Sequence, residues 1–369
     1  MNDRRRAAPK ALSPAVRSME GRRMSQAARL EAGWRALSLR RGLGAWLLLP
    51  LSAVYGALLA LRRLSYRLGW RRAQRLAVPV LVIGNVVVGG AGKTPTTVAL
   101  VQHLRERGWR PGIVSRGHGR REAAPQAVDA NTDPALSGDE PLLLRRATGV
   151  PVWVGRARAQ AAQGLLQAHP EVDLIVCDDG LQHWPLASDL RVAVFDDRGL
   201  GNGWLLPAGL LREPWPARDT ARAPQLLLRQ TAGAERPPAL PGGLPQFSAR
   251  RSLAAHALNA QGERVALDGL VGEALTALAG IAQPEAFFAM LRARGLRLAH
   301  TLALPDHADA ATLAQALAST SGTVLCTEKD LVKLAPLAHQ HRLWAVPLVL
   351  QIEPGFFAAV DECLARARR

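Results

Sequence analysis

Cysteine is scarce in this sequence of 369 residues. The three cysteines, Cys177, Cys326 and Cys363, are far apart in the chain and form no CxxC pair. An odd number at such spacing supports neither a disulfide framework nor a zinc-binding cysteine cluster. The sequence therefore fits a reducing compartment, and we expect Cys177 and Cys326, which lie in apolar runs, to pack as small hydrophobic side chains.

Acidic residues are also few near the N-terminus. Residues 1–42 contain eleven Lys or Arg against three acidic residues, and residues 43–75 contain six basic residues and no acidic one. These two segments supply +14 of the formal net charge of +17, so the rest of the chain is nearly neutral. A nucleic-acid groove needs clustered basic side chains on the folded domain itself, and we therefore expect no nucleic-acid partner. A basic terminal segment instead favours contact with anionic membrane lipid.

Charge is missing altogether from the apolar run between residues 43 and 61. The run is long enough for a membrane-embedded helix, and it does not look like a cleaved signal peptide because arginines follow it. Since both flanks are basic, the positive-inside rule favours a helix that dips into or lies along the inner leaflet over one that crosses it. Pro50 also interrupts the helix. The alternative is a core helix of a soluble domain.

A glycine-rich loop follows a short apolar strand predicted at residues 77–83 and precedes a helix predicted from Thr94 to about residue 107. In this context glycines let backbone N–H groups surround phosphate oxygens, a lysine neutralises the outer phosphates and a threonine ligates magnesium. Val87 stands where the usual pattern has an additional glycine, so a chance glycine turn is the alternative. The residues predicted to bind a nucleoside triphosphate are Gly89, Gly90, Ala91, Gly92, Lys93 and Thr94.

Two adjacent aspartates, Asp178 and Asp179, end a second apolar strand predicted at residues 172–177. A carboxylate at the end of a buried strand is where phosphate-loop enzymes hold magnesium or its water shell. Taken alone, the pair is better explained as a turn, but the upstream loop reverses this preference and favours the magnesium site. Gln182 and His183 follow in the same turn and are candidates for positioning substrate or metal-bound water.

The alternation of apolar strands and helices predicts an α/β fold of the phosphate-loop NTPase type, with a doubly wound parallel sheet. Further strands are expected at residues 112–115 and 150–154, and ligands should collect at the carboxyl ends of the strands. A stretch rich in Pro, Ala and Gly indicates a hinge before a second, smaller α/β domain. The predicted division is 1–42, a basic tail of disordered composition; 43–75, a membrane-associated helix with a basic flank; 76–220, the phosphate-loop domain; 221–248, the hinge; and 249–369, the smaller domain.

Seven short motifs follow the apolar run in order along the chain. They are GNVVVGGAGKTP (84–95), SRGHGR (115–120), SGDEP (137–141), DDGLQH (178–183), FDDRGLGNGWLLPAGLLREP (195–214), LPDH (304–307) and TEKD (327–330). This series resembles one family, the tetraacyldisaccharide 4'-kinases, which phosphorylate the lipid A precursor at the inner membrane of Gram-negative bacteria. The apolar helix before the motifs is also similar to that of the family.

The resemblance implies roles for individual residues. Lys93 and Thr94 would bind ATP and Mg²⁺, and Asp178 and Asp179 would hold Mg²⁺. Asp139 and His307 would form the dyad that prepares the acceptor hydroxyl, and Arg212 would steady the transferred phosphate. Without the resemblance, Asp139 and His307 fit structural roles at helix starts. Residues expected to contact substrate or to position it are Asn85, Ser115, Arg116, Glu140, Gln182 and His183.

The resemblance also implies an activity and a location. The chain would transfer the γ-phosphate of ATP to the 4'-hydroxyl of an acylated glucosamine disaccharide 1-phosphate, as a monomer at the cytoplasmic face of the inner membrane. One alternative is a membrane-associated positioning ATPase, but such proteins carry a lysine just before the double glycine, where this chain has Val88. The other alternative is a nucleotide-sensing membrane module that acts on no lipid.

Overall fold

A computed structural model describes residues 33–34, 36–90, 92–120, 122, 124–217, 222–231, 238–306, 308, 310–336 and 342–368. Ala91, His307 and most of the predicted N-terminal tail lie outside the described residues. Within them, the chain forms two β-sheets with helices packed against them.

The strands of the larger sheet come first in the chain and those of the smaller sheet follow. The last strand returns to the larger sheet. The strands are β1 (Val80–Gly84), β2 (Pro111–Ser115), β3 (Gln126–Val128), β4 (Val152–Val154), β5 (Leu174–Asp178), β6 (Leu190–Phe195), β7 (Leu226–Thr231), β8 (Gln246–Leu253), β9 (His256–Leu258), β10 (Arg264–Ala266), β11 (Leu275–Ala279), β12 (Leu298–Ala303), β13 (Thr323–Thr327), β14 (Arg342–Val346) and β15 (Leu348–Ile352).

The helices begin before the first strand and alternate with strands afterwards. They are α1 (Leu43–Leu47), α2 (Leu49–Arg67), α3 (Lys93–Glu106), α4 (Pro134–Ser137), α5 (Asp139–Thr148), α6 (Arg158–Ala168), α7 (Pro284–Ala293), α8 (Ala310–Ala318), α9 (Glu328–Leu334) and α10 (Pro354–Ala367), with a 3-10 turn at Leu267–Leu270.

The larger sheet has the strand order β15-β8-β7-β6-β1-β5-β2-β4-β3. Every neighbouring pair from β8 to β4 is parallel, and the two edge strands β15 and β3 are antiparallel to their neighbours. The predicted strand, loop and helix around the glycines are therefore confirmed as β1, the loop and α3. Because β1, β2 and β5 are parallel neighbours in this sheet, their carboxyl ends meet at one edge.

Apolar side chains cover both faces of the larger sheet, as the short β-branched runs in its central strands require. Leu81 and Ile83 of β1 pack in one cluster with Leu100 of α3 and Phe356 of α10. Successive strand residues point to opposite faces, and Val82 accordingly packs in the other cluster. Both layers hold β1 rigidly, so the loop that follows β1 starts from a fixed point.

The smaller sheet has the order β10-β9-β14-β13-β11-β12 and is parallel from β14 to β12. After β14 the chain crosses back, because β15 pairs antiparallel with β8 of the larger sheet and α10 packs on that sheet's core. The predicted hinge at residues 221–248 includes β7, an interior strand of the larger sheet. The two sheets are thus joined in both directions, and the domain boundaries at 220 and 249 remain a prediction.

The cysteines of the apolar runs are buried. Cys177 in β5 and Cys326 in β13 are almost inaccessible to solvent, and burial raises the pKa of the Cys177 thiol to about 11. A thiol of such high pKa is not a nucleophile at neutral pH. Both residues pack as small hydrophobic side chains, as the sequence predicts.

The N-terminal helices pack against the segments that follow β5 and β6. Pro50 lies in the first turn of α2, after a break in the helix at Leu48, where its missing N–H costs no hydrogen bond. Ser52 accepts from the backbone N–H of Ala208 and donates to the carbonyl of Leu205. None of the helices in the described part of the chain has the length and apolar character needed to cross a membrane.

Candidate active site

The glycine-rich loop ends in a conformation that requires glycine. Gly92 has φ of 76° and comes immediately before α3, and Gly89 has φ of 100°. A Cβ added at Gly92 would collide with the side-chain amide of Gln230, which donates to the Gly92 carbonyl at 2.7 Å. The backbone therefore turns sharply enough for the N-terminus of α3 to face a phosphate group.

Lys93, the first residue of α3, extends toward the carboxyl end of β5. Its ammonium lies 3.5 Å from Asp179 and donates to the side-chain oxygen of Asn85 at 3.3 Å. Asn85 is fully buried and donates in turn to the carbonyl of Gly89 at 2.9 Å. Asn85 thus connects the loop backbone to the lysine, which fixes the position of both.

Asp178, the last residue of β5, is fully buried beside the same loop. Its Oδ1 accepts a hydrogen bond from Thr97 at 2.9 Å, and its Oδ2 has no hydrogen-bond partner among the described residues. Burial and, second, the carboxylate of Glu140 raise its pKa to about 7. A buried carboxylate oxygen without a partner is costly unless a cation or its water shell satisfies it.

Asp179, the residue directly after β5, has a positive φ of 49°. Its carboxylate pairs with Arg212 at 3.2 Å as well as with Lys93. Burial would raise its pKa, but Lys93, Arg212 and Arg158 outweigh burial, so the pKa lies below its usual value. Asp179 is therefore charged at neutral pH and holds two cations beside the loop.

Gln182 and His183 lie in the turn after the aspartates. Gln182 donates to the carbonyl of Asn85 at 3.1 Å and to the carboxylate of Glu213 at 2.8 Å. The His183 ring lies 3.2 Å from Arg158, and burial together with that cation lowers the pKa of His183 to about 4. His183 is neutral at physiological pH and fits a hydrogen-bonding role better than a charged one.

Arg212 links the site to the N-terminal helix. Its guanidinium contacts Asp179 and, at 3.4 Å, Gln182, while its carbonyl accepts from the hydroxyl of Tyr55 at 2.7 Å. Arg62 of the same helix donates to the carbonyl of Gln182 at 3.0 Å. Helix α2 therefore supports the backbone of two residues that the sequence assigns to the site.

Asp139 is the first residue of α5 and is followed by Glu140. Its carboxylate lies 2.7 Å from the ammonium of Lys333, which belongs to α9. Lys333 also donates to the carbonyl of Ala308 at 2.7 Å. Asp139 is thus joined to the chain segment that follows His307, although the position of His307 itself is outside the described residues.

Ser115 and Arg116 lie at and just beyond the carboxyl end of β2. Ser115 is nearly inaccessible, and its carbonyl accepts from the backbone N–H of Gly155. Arg116 lines a cavity of about 320 Å³ together with His118, Arg120 and Arg156. The cavity is basic, which suits an anionic ligand beyond the carboxyl end of β2.

Most of the residues predicted for the site end up near one sheet edge, but three contributors were not predicted. Arg158 donates to the carbonyl of Asp179 at 2.9 Å, Glu213 bonds Gln182, and Lys333 pairs with Asp139. Arg158 begins the helix after β4, so the rule that ligands collect at the ends of parallel strands could have identified it. Glu213 directly follows Arg212, whereas Lys333 has no local signal.

Comparisons with known proteins match one family over most of the chain. The family model of tetraacyldisaccharide-1-P 4'-kinase matches residues 44–365. The chain is 54% identical over 345 residues to a tetraacyldisaccharide 4'-kinase of Acidovorax sp. (strain JS42), covering 94% of this chain and 97% of the relative. A relative of the same description from Polaromonas sp. (strain JS666 / ATCC BAA-500) is 53% identical over 330 residues, 89% of this chain and 94% of the relative.

A solved structure is also similar over most of the chain. The crystal structure of the "apo" form of LpxK from Aquifex aeolicus in complex with ATP superposes with a TM-score of 0.74 at 27% identity, covering 88% of this chain and 99% of that one. In the present fold, the contact between Lys93 and Asp179 joins the helix after the glycine-rich loop to the aspartate pair. The chain belongs to the tetraacyldisaccharide-1-phosphate 4'-kinase family.

Proposed function

We propose that this chain, a tetraacyldisaccharide 4'-kinase that phosphorylates the lipid A precursor, transfers the γ-phosphate of Mg²⁺-bound ATP in the cleft beyond β1, β2 and β5. The observation that carries the proposal is the placement of Lys93. Lys93 begins the helix after the glycine-rich loop. Its ammonium lies 3.5 Å from the carboxylate of Asp179, the residue that follows the buried Asp178. In a phosphoryl-transfer enzyme, a lysine so placed neutralises the outer phosphates of the nucleotide.

The residues present suit a magnesium ion. The unpartnered Oδ2 of Asp178, with Asp179 and the hydroxyl of Thr94, would hold the ion or its water shell. No cluster of three or more His, Cys, Asp or Glu suited to hold a metal occurs in the described part of the chain. The two carboxylates of Asp178 and Asp179 and the hydroxyl of Thr94 fit Mg²⁺, which commonly takes one or two carboxylates plus substrate phosphates. When bound, the ion would neutralise charge on the phosphates.

On the acceptor side, Asp139 and His307 would prepare the hydroxyl. The 4'-hydroxyl oxygen forms a bond to the γ-phosphorus, the bond between that phosphorus and the bridging oxygen of ADP breaks, and the hydroxyl proton passes to Asp139. In a loose transition state the proton leaves late, so a carboxylate is basic enough provided that His307 orients the hydroxyl. Arg212, beside Asp179, would stabilise charge on the transferred phosphate.

The acceptor is itself a phosphate ester, and the basic cavity beside the cleft fits that charge. Arg116, Arg120 and Arg156 line it together with His118. Arginine clusters bind phosphate through paired N–H donors. Ser115 and Arg116 would therefore contribute to acceptor binding, with Asn85, Gln182 and His183 positioning the groups between donor and acceptor.

Membrane attachment would come from α1 and α2. Apolar side chains recur every three or four residues on their outer face, while Ser52 and Tyr55 on the inner face bond the segment between β6 and β7. This spacing places them on one stripe, which would lie in the acyl boundary of the inner membrane's cytoplasmic face with arginines among anionic headgroups. The exposed side chains are Leu43, Trp46, Leu47, Leu51, Val54, Leu58, Leu61 and Leu64.

A label-transfer assay tests the proposed site. Purified protein would be incubated with γ-labelled ATP, Mg²⁺ and tetraacyldisaccharide 1-phosphate in detergent micelles. We expect Lys93→Ala and Asp139→Asn each to lower transfer to the lipid by about 100-fold or more, because each removes charge stabilisation or proton acceptance from the transition state. The exposed Arg366→Ala on α10 is the matched control and should keep wild-type transfer. Wild-type rates in either site variant would refute the assignment.

A further inference from the structure

The TEKD motif, residues 327–330, has no part in the site described so far, yet it fixes α9. Thr327 caps the helix by accepting from the backbone N–H of Asp330, and its hydroxyl donates to the Asp330 carboxylate at 2.6 Å. That carboxylate is nearly inaccessible and also accepts from the backbone N–H of Gly280, at the end of β11, at 3.1 Å. Helix α9 is therefore anchored at both its start and its first turn.

The same helix holds the turn after β12. Asp306 pairs with Lys329 of α9 at 3.2 Å, and the backbone N–H of Ala308 donates to the carbonyl of Pro305. A Cβ added at Gly280 would lie 2.9 Å from Asp330 and 3.4 Å from the Ala308 side chain, so these parts are tightly packed. The chain on both sides of His307 is thus fixed relative to α9.

Lys333 lies one turn after Lys329, and its side chain connects α9 to the start of α5. Its ammonium lies 2.7 Å from the Asp139 carboxylate and donates to the Ala308 carbonyl at 2.7 Å. The side chains of Lys333 and Asp139 are only 11% and 12% exposed. An ammonium has three donors and no acceptor, so it can hold a carboxylate and a carbonyl at a fixed separation.

We propose that Lys333 is a positioning residue for phosphoryl transfer, because it holds the Asp139 carboxylate next to the carbonyl of Ala308, the residue that follows His307 in the chain. The inference rests on the proposed function, in which Asp139 and His307 act together on the acceptor hydroxyl. Lys333 touches neither nucleotide nor acceptor in this account. It acts through Asp139, whose carboxylate it fixes relative to the described residues on either side of His307. A misplacement of about 1 Å in such a pair can lower a rate about 100-fold.

The test compares Lys333→Met, Lys333→Arg and Lys329→Met with wild type. Rates are expressed per ATP-binding site, counted by calorimetric titration with ATP, so that misfolded protein does not contribute. We expect Lys333→Met to lower kcat about 100-fold with KM for ATP within about two-fold of wild type, because the nucleotide loop belongs to the larger sheet. Lys333→Arg, which keeps a cation able to bridge two oxygens, should recover at least about ten-fold of that loss.

Lys329→Met is the matched control, since it removes an ammonium one turn away that bonds Asp306 instead; it should lower kcat less than Lys333→Met does. A merely structural role for Lys333 would leave kcat per ATP-binding site unchanged, and that result would overturn the inference. Should Lys333→Met yield no folded protein, Lys333→Gln supplies the same comparison with a neutral hydrogen-bonding side chain. The activities of wild type and of Asp139→Asn are measured alongside to separate the outcomes. An inactive wild type refutes the proposed function. If wild type is active and Asp139→Asn is inactive, an active Lys333→Met refutes only the role of Lys333.

Discussion

At the scale of single residues, burial of the charged Asp178 carboxylate lowers the stability of the fold, whereas the same carboxylate is part of the proposed site for phosphoryl transfer. Burial and the nearby Glu140 raise its pKa from 3.8 to about 7. Because the folded pKa exceeds the unfolded one, the folded state binds the proton more tightly, and the stability that Asp178 contributes falls as pH rises from about 4 to about 7. We expect Asp178→Asn to raise the melting temperature of metal-free protein by about 2 °C or more at pH 8, by less at pH 5, and to impair phosphoryl transfer.

Asp268→Asn is the control for this measurement, since Asp268 lies exposed in the 3-10 turn of the smaller sheet. Its effect on the melting temperature should be small and equal at the two pH values. Scanning calorimetry in the presence of a chelator would provide both comparisons. A pH-independent loss of stability in Asp178→Asn would mean that the charge of Asp178 is not the cost described above.

At the scale of secondary-structure elements, α2 has two faces with different tasks. On its inner face, the hydroxyl of Tyr55 donates to the carbonyl of Arg212. On its outer face, the side chains of Leu51 and Leu58 are 58% and 61% exposed. We expect the double variant Leu51→Ser/Leu58→Ser to bind vesicles containing anionic phospholipid about ten-fold or more weakly, because two large apolar contacts with the acyl region are lost. Co-sedimentation with the vesicles measures the affinity.

A valine elsewhere on the surface supplies the comparison for the helix variant. Val349 on β15 is also exposed, at 42%, and Val349→Ser should leave vesicle binding unchanged. The double variant should also keep its kcat toward acceptor presented in detergent micelles, since the outer face does not contact Arg212 or Gln182. Undiminished vesicle binding by the double variant would show that this face is not the membrane contact.

At the scale of the whole molecule, sequence reasoning works where structure is local. The strand, glycine-rich loop and helix around Lys93 form a contiguous segment, and the observed elements, Val80–Gly84 and Lys93–Glu106, match the prediction closely. The aspartates at the carboxyl end of β5 follow from the same pattern, because parallel strands end at one edge. The doubly wound sheet is confirmed in its central strands for the same reason.

The remainder depends on contacts between distant parts of the chain. A composition rich in proline and glycine indicated a hinge at residues 221–248, but β7 within it pairs on both sides inside the larger sheet, which only its neighbours determine. Likewise, β15 returns to β8 after the smaller sheet is complete. The pairing of Lys333 with Asp139 joins α9, which follows a strand of the smaller sheet, to α5, which precedes a strand of the larger sheet. No local pattern in either segment could predict it.

The central claim is that one cleft passes the γ-phosphate of ATP to a lipid hydroxyl instead of to water. The most direct test is the stoichiometry of turnover, with ADP, inorganic phosphate and phosphorylated lipid measured in the same reaction and the phosphorylated position assigned by phosphorus NMR. The account predicts one phosphoryl group on the 4' oxygen of the acceptor for each ADP, and almost no ADP without acceptor. Release of ADP and inorganic phosphate at the same rate with and without acceptor would contradict it and identify an ATPase.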